Sequence, residues 1–216
     1  MSRYRGKPEA VRALVQESQV HRDVYIDQEI VDLEMEHLFA NTWIYVGHDS
    51  QVPNPGDYFG TEIGTQPVLM VRHTDGSVKV LHNRCPHKGV RITTETCGNT
   101  GKFFRCPYHA WSYDTEGRLV AAPLMDGVEG FAPEDCRLGQ IRTAVWEGFV
   151  MVNLDPDAAP FAPPVEPLRS YFQAFRMGEM AVVRTLTYDS GWNWKVLVEN
   201  FMEAYHHLAA HAQTLE

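Results

Sequence analysis

Two short hooks, Cys85-Pro86-His87-Lys88-Gly89 and Cys106-Pro107-Tyr108-His109-Ala110-Trp111, constrain this chain more than any other stretch. Each offers one thiolate and one imidazole, and 18 residues separate His87 from Cys106. Two metals suit a set of two sulfur and two nitrogen ligands. One is a single tetrahedral zinc; the other is a two-iron cluster with both thiolates on one iron and both imidazoles on the other. A Cys2His2 zinc finger orders its ligands Cys-Cys and then His-His. Here the order is Cys-His and then Cys-His, with Pro directly after each Cys. That alternation lets each loop give one ligand to each iron.

The surrounding residues read as short strands with turn signals every eight to twelve residues, the pattern of an all-β domain. Strands are predicted at Trp43–His48, Asp57–Thr61, Pro67–Arg72, Val78–Leu81, Lys102–Arg105, Trp111–Tyr113, Arg142–Trp146 and Phe149–Asn153. Thr74-Asp75-Gly76-Ser77, Asp114-Thr115-Glu116-Gly117 and Glu147-Gly148 supply turns. Both hooks then sit at loop tips above a strand scaffold, where a cluster can exchange electrons. Residues 84–105 carry Arg84, Lys88, Arg91, Lys102 and Arg105 against the single acid Glu95, a basic collar in a chain of formal charge −9.

That net charge argues against a nucleic-acid partner. Met1–Val20 has no apolar stretch of signal-peptide type, and no run approaches the roughly 18 apolar residues of a membrane span. A cytoplasmic location and no membrane partner are the expectation, with Cys97 and Cys136 as free thiols. Residues 1–41 read as an arm and a helix that starts at the N-cap Asp27 and runs to about Ala40. Residues 42–154 form the hook-bearing domain. Five prolines (156, 160, 163, 164 and 167) mark residues 155–167 as a semi-rigid linker. Beyond it, Leu168, Tyr171, Phe172 and Phe175 predict a helix ended by Gly178, and Ala181–Thr187 a strand. Trp194, Leu197, Val198, Phe201, Tyr205 and Leu208 line one face of a last helix.

The spacing Cys-x-His, 18 residues, Cys-x-x-His resembles the Rieske [2Fe-2S] motif. With Asn83-Arg84 before the first hook and Trp111 after the second, it resembles the version found in ring-hydroxylating, Rieske non-haem iron oxygenases. Respiratory and photosynthetic Rieske proteins carry an extra cysteine in each hook; Val90 and Tyr108 stand at those positions here, so their disulfide cannot form. Ala110-Trp111 replaces the Ser that hydrogen-bonds the cluster sulfur in those proteins. The resemblance therefore implies a potential toward the low end of the roughly −150 to +300 mV Rieske range. Lys88 and Ala110 depart from the oxygenase pattern, in which Arg and Gly are common.

The resemblance extends to Glu199-Asn200-Phe201-Met202-Glu203-Ala204-Tyr205-His206 and His211, which look like the oxygenase site for mononuclear non-haem iron. It implies His206 and His211 as Fe(II) ligands and Glu203 as the carboxylate that couples the two centres, with Glu199 as its rival. Helix geometry alone favours His207 and His211, because His206 and His211 lie about 140° apart on an unbroken helix. The resemblance thus requires the helix to break or tighten between Leu208 and His211. It implies an α+β fold: an all-β, sandwich-like Rieske domain with two cluster-binding loops, then, in residues 168–216, the start of a helix-grip-like catalytic domain. The third iron ligand, an Asp or Glu in this family, is expected beyond Glu216, which makes the chain the front part of a longer α subunit.

The implied function is a terminal oxygenase. Electrons from NAD(P)H would pass through a reductase, sometimes with a ferredoxin, to the [2Fe-2S] cluster and on to Fe(II). O2 would then hydroxylate or demethylate an organic, chiefly aromatic, substrate. A homotrimer or an α/β hetero-oligomer is the implied assembly. The competing reading is a stand-alone Rieske electron carrier without catalysis, which leaves residues 155–211 unexplained.

Overall fold

Residues 2–211 and 213 are described by the computed structural model. In chain order the regular elements begin with α1 (Pro8–Arg12), the two-residue strands β1 (Val15–Gln16) and β2 (Gln19–Val20), α2 (Asp23–Ile26) and α3 (Gln28–Glu34). Strands β3 (Ile44–His48), β4 (Asp57–Ile63), β5 (Gln66–Arg72), β6 (Val78–His82), β7 (Cys97–Asn99), β8 (Phe103–Arg105), β9 (Ser112–Asp114), β10 (Leu119–Ala121), β11 (Gln140–Trp146) and β12 (Phe149–Asn153) follow. Four helices close the series: α4 (Ala162–Val165), α5 (Arg169–Phe172), α6 (Trp194–Met202) and α7 (His207–Ala210). The chain divides into two units, one of residues 37–184 and one built from residues 1–36 together with 185–216.

In the larger unit, β3-β12-β11-β6-β5-β4-β7 form one antiparallel sheet and β10-β9-β8 a second. The central strand β5 shows why two cores exist. Alternate residues point to opposite faces of a strand, so Val68 and Met70 enter one core with Val46, Val80, Val150 and Val152. Leu69 and Val71 enter the other, with Leu81, Cys85, Phe104, Cys106, Trp111, Tyr113 and Leu138. Pro67 to Val71 are all buried, so this strand is covered on both faces. Each fully buried Val or Leu there contributes roughly 1.5–3 kcal/mol. The second core lies directly beneath the two hooks.

The predicted turns form. His73 N–H donates to Ser77 O at 2.8 Å and Gly117 N–H to Asp114 O at 2.9 Å. The β11–β12 turn needs its glycine, because a Cβ on Gly148 (φ 83°) would lie 2.1 Å from Nε2 of the buried His48. In this unit two strands escape the sequence pattern: β7 (Cys-Gly-Asn), which pairs with β4, and β10, which pairs with β9.

In the smaller unit, Tyr4, Leu14 and Ile30 form a small core. Asp27 N-caps α3, its carboxylate accepting from Glu29 N–H at 2.9 Å. α6 begins at the N-cap Asn193, and the α2–α3 segment grips its polar face. Lys195 Nζ lies 2.5 Å from Glu34, Trp194 Nε1 donates to Glu34 at 3.0 Å, and the Tyr25 hydroxyl reaches both Glu199 oxygens at 2.9 and 3.0 Å.

Three expectations are corrected. Ala181–Thr187 forms no strand among the described residues, and Val183 is 95% exposed. β-branched residues favour a strand only when a neighbour accepts the ladder. The Leu168–Phe175 helix breaks into α5 and a 3-10 turn, stopped by Arg176 in the left-handed region (φ 49°) two residues before Gly178. Tyr171 is 76% exposed, so the periodic apolar face has no packing there to sustain a longer helix. The last predicted helix is interrupted already at Met202, in addition to ending at Ala210, inside the 208–211 interval where a break or tightening was expected. Glu203 is extended (φ −126°, ψ 154°), and α7 resumes at His207.

Candidate metal centres

The two hooks are built alike. Cys85 N–H donates to Val90 O and Gly89 N–H to Cys85 O, each at 2.8 Å; Cys106 N–H donates to Trp111 O at 2.8 Å and Ala110 N–H to Cys106 O at 3.1 Å. Each loop therefore closes on its own cysteine, and each turns through a left-handed residue, Gly89 (φ 73°) or Ala110 (φ 58°). Asn83 splints the first hook from below: its side chain donates to Thr93 O at 2.8 Å and accepts from Ile92 N–H at 2.9 Å. The second hook is the tip of the β8–β9 hairpin.

This construction turns both thiols inward and both imidazoles outward. Cys85 and Cys106 are 2% and 3% exposed and belong to the hydrophobic core. His87 is half-buried and His109 exposed, with ring centroids 4.7 Å apart. Burial pushes the Cys85 thiol up, so a thiolate there needs a cation beside it. Burial also pushes His87 down, and the nearby His109 and Lys88 add to the effect, which favours the neutral, metal-binding imidazole. A buried sulfur pair under an outward nitrogen pair fits the donor set of a mixed Cys/His two-iron cluster.

One residue in this site was not singled out by the sequence. Tyr113, fully buried, places its hydroxyl 3.1 Å from Cys85 Sγ. Burial, followed by the contact with Cys85, raises its phenol far above the ordinary range, so the phenol stays protonated and donates to a thiolate. The signal was present in the strand alternation: Trp111 and Tyr113 share the inward face of the segment after the second hook.

In the other unit, the break at Glu203 shapes the second constellation. With α6 ended there, the Glu203 carboxylate caps the next turn, accepting from the N–H groups of Tyr205 and His206. Its other oxygen meets His206 Nδ1, and that contact is the main cause of its lowered pKa. A carboxylate at Nδ1 holds the proton on that nitrogen and leaves Nε2 as the ring's open acceptor. The His206 and His211 rings come to 5.3 Å, closer than the 5.7 Å between His207 and His211. The broken helix thus brings together the pair that an unbroken helix would separate. Glu199 is held by Tyr25 instead. No group of three or more metal-ligating side chains is closed around one ion position among the described residues.

Residues 42–132 match the Rieske [2Fe-2S] domain family, and residues 177–216 match the ring hydroxylating alpha subunit (catalytic domain) family. The chain is 35% identical over 214 residues to biphenyl dioxygenase subunit alpha of Metapseudomonas furukawaii, an alignment covering 93% of this chain and 46% of that protein. Among solved structures it is similar to the quaternary ammonium Rieske monooxygenase CntA in complex with L-carnitine. That TM-score is 0.82 at 28% identity, over 90% of this chain and 56% of the other. It is also similar to naphthalene 1,2-dioxygenase from Rhodococcus sp. bound to indole, with TM-score 0.82 at 26% identity, over 95% of this chain and 48% of the other. The chain spans about half the length of these relatives. Its fold, its two matched domains and these likenesses agree: the chain belongs to the Rieske non-haem iron, ring-hydroxylating oxygenase alpha-subunit family, whose cofactors are a Rieske [2Fe-2S] cluster and a mononuclear iron.

Proposed function

We propose that this chain is the electron-receiving and iron-binding part of a terminal oxygenase that uses O2 to hydroxylate or demethylate an organic substrate. The reading is carried by the mirrored hooks, with thiols buried and imidazoles outward. Cys85 and Cys106 would hold one iron of the cluster, and His87 and His109 the other. His206 and His211 would hold the mononuclear Fe(II). When bound, the cluster stores one electron, and the mononuclear iron offers open positions to O2 beside the substrate.

The remaining work falls to the chain's own residues. The core under the hooks keeps water from the thiolates, and Tyr113 donates to Cys85 Sγ. Glu203 holds the Nδ1 proton of His206, leaving Nε2 to bind. Electrons would come from NAD(P)H through a reductase, with or without a ferredoxin. Contact between Glu203 of one subunit and a cluster histidine of the next would make a ring-shaped homotrimer, alone or with β subunits, the natural assembly. An aromatic substrate is favoured by the names of the biphenyl and naphthalene relatives; the quaternary ammonium relative sets amines as the class to test beside it.

The test begins with anaerobic reconstitution of the chain with iron and sulfide. Mixed Cys/His ligation gives the reduced cluster a low average g value in EPR, whereas bound zinc and no signal would sink the ligand assignment. The longer α subunit, supplied with reductase and NADH, is then expected to consume O2 with an arene or a quaternary amine. Reduction of the cluster with no O2 uptake on any substrate would instead identify an electron carrier.

A further inference from the structure

The two imidazoles of the hooks are not equivalent. His109 is exposed, and its neighbouring ring is Tyr108, itself 60% exposed, at 3.8 Å. His87 lies flat against the indole of Trp111, with centroids 4.6 Å apart and planes only 7° from parallel. Trp111 is 5% exposed and also meets Phe131, edge-on at 5.6 Å. The left-handed turn at Ala110 (φ 58°) reverses the chain after His109, and the Cys106 N–H bond to Trp111 O fixes that reversal. The second hook therefore ends in a side chain that braces the histidine of the first.

We infer that Trp111 is a positioning residue: it holds the His87 ring in one rotation, keeps water off one of its faces, and so lowers the reduction potential of the cluster. The inference rests on the reading that His87 is an iron ligand. A ring that would be tied to iron through one nitrogen and lies flat on a buried indole cannot turn about its own bonds without losing the stack. The face of an indole carries negative charge density. It opposes an added electron nearby, and a wall that excludes water denies the reduced, more highly charged cluster its hydration. Both effects act in the same direction. Removing the indole should raise the potential, and a smaller aromatic ring should raise it less than an aliphatic side chain.

The experiment uses the full chain reconstituted with its cluster, as the parent and as Trp111→Phe and Trp111→Leu. Midpoint potentials are measured by EPR-monitored redox titration, with iron and sulfide content as the loading control. The expected order of potentials is parent below Phe below Leu, with equal loading and a g-value spread that widens in the same order. Loaded Phe and Leu variants with the parent's potential and line shape would overturn the proposal. If Trp111→Leu fails to hold a cluster, Trp111→Phe decides; failure of the Phe variant to load would assign Trp111 to folding and also overturn it. A parent without mixed Cys/His ligation removes the ligand assignment itself, a failure visible before any substitution is made.

Discussion

The Tyr113 hydroxyl lies 3.1 Å from the sulfur of Cys85, with the tyrosine fully buried and the cysteine 2% exposed. A hydrogen bond to a cluster thiolate strengthens when the cluster gains an electron, because the sulfur becomes more negative. Tyr113 is the side chain placed to supply such a bond to Cys85. Tyr113→Phe keeps the shape and removes the donor. The potential is expected to fall by about 50 mV, which corresponds to about 1 kcal/mol of differential hydrogen bonding for one electron. An unchanged potential in the loaded variant would show that the bond is equally strong in both redox states.

Ala110 occupies a left-handed conformation (φ 58°) in the position where Gly89 (φ 73°) serves the first hook. A Cβ there costs about 1 kcal/mol, which a glycine does not pay. Ala110→Gly is expected to raise the melting temperature by roughly 2–4 °C for a domain of this size. Calorimetry of parent and variant, both loaded, measures it. A lower melting temperature would mean that the entropy gained by the unfolded chain exceeds the strain relieved.

Glu203 touches His206 Nδ1, while Glu199 is occupied by Tyr25. In the longer α subunit, Glu203→Gln is expected to leave the cluster signal intact and to slow product formation on the order of 10–100-fold. Glu199→Gln is expected to turn over at nearly the parent rate. The reverse result would make Glu199 the coupling carboxylate.

Lys88 and Lys102 are exposed members of the basic collar, whereas Arg91 is already paired with Glu62 at 2.6 Å. Exchanging both lysines for glutamate is expected to slow reduction by an acidic redox partner at low salt, and the difference should shrink as ionic strength rises. Stopped-flow rates across a salt series measure this. A shifted potential at an unchanged rate would make the collar a tuning device and not a docking site.

Glu29 anchors the N-terminal segment, accepting from the Ser2 hydroxyl and from the N–H groups of Arg3, Tyr4 and Arg5. These bonds, with the Ser2 hydroxyl first, lower its pKa from 4.5 to about 2. A depressed carboxylate contributes stability above its unfolded value and loses it as pH falls through the folded one. The segment is therefore expected to loosen between about pH 4.5 and pH 2, seen as faster amide exchange at residues 3–5. Glu29→Gln should weaken that dependence, the remainder belonging to Asp23, whose carboxylate accepts from the Tyr4 hydroxyl and is also held low.

The hooks were legible in the sequence because metal ligation constrains residue type and spacing directly, and the turns because Gly and Asp carry their conformation locally. β5 was legible as a strand, although not as the wall between two cores; that depends on what covers each face. Ala181–Thr187 looked like a strand and Leu168–Phe175 like one helix, since propensity is a local quantity and the ladder or packing that rewards it is not. The same limit hid Tyr113, whose partner Cys85 is 28 residues away. It also hid the additional helix break at Glu203. By itself, the sequence offered the candidate metal-binding side chains and placed the two hooks on loops between strands. Only the tertiary structure decided that the thiols face inward and the imidazoles outward, that Trp111 braces His87, and that the chain breaks at Glu203 so that His206 meets His211. Ligand chemistry is written residue by residue, whereas burial and pairing arise only when distant segments exclude water together.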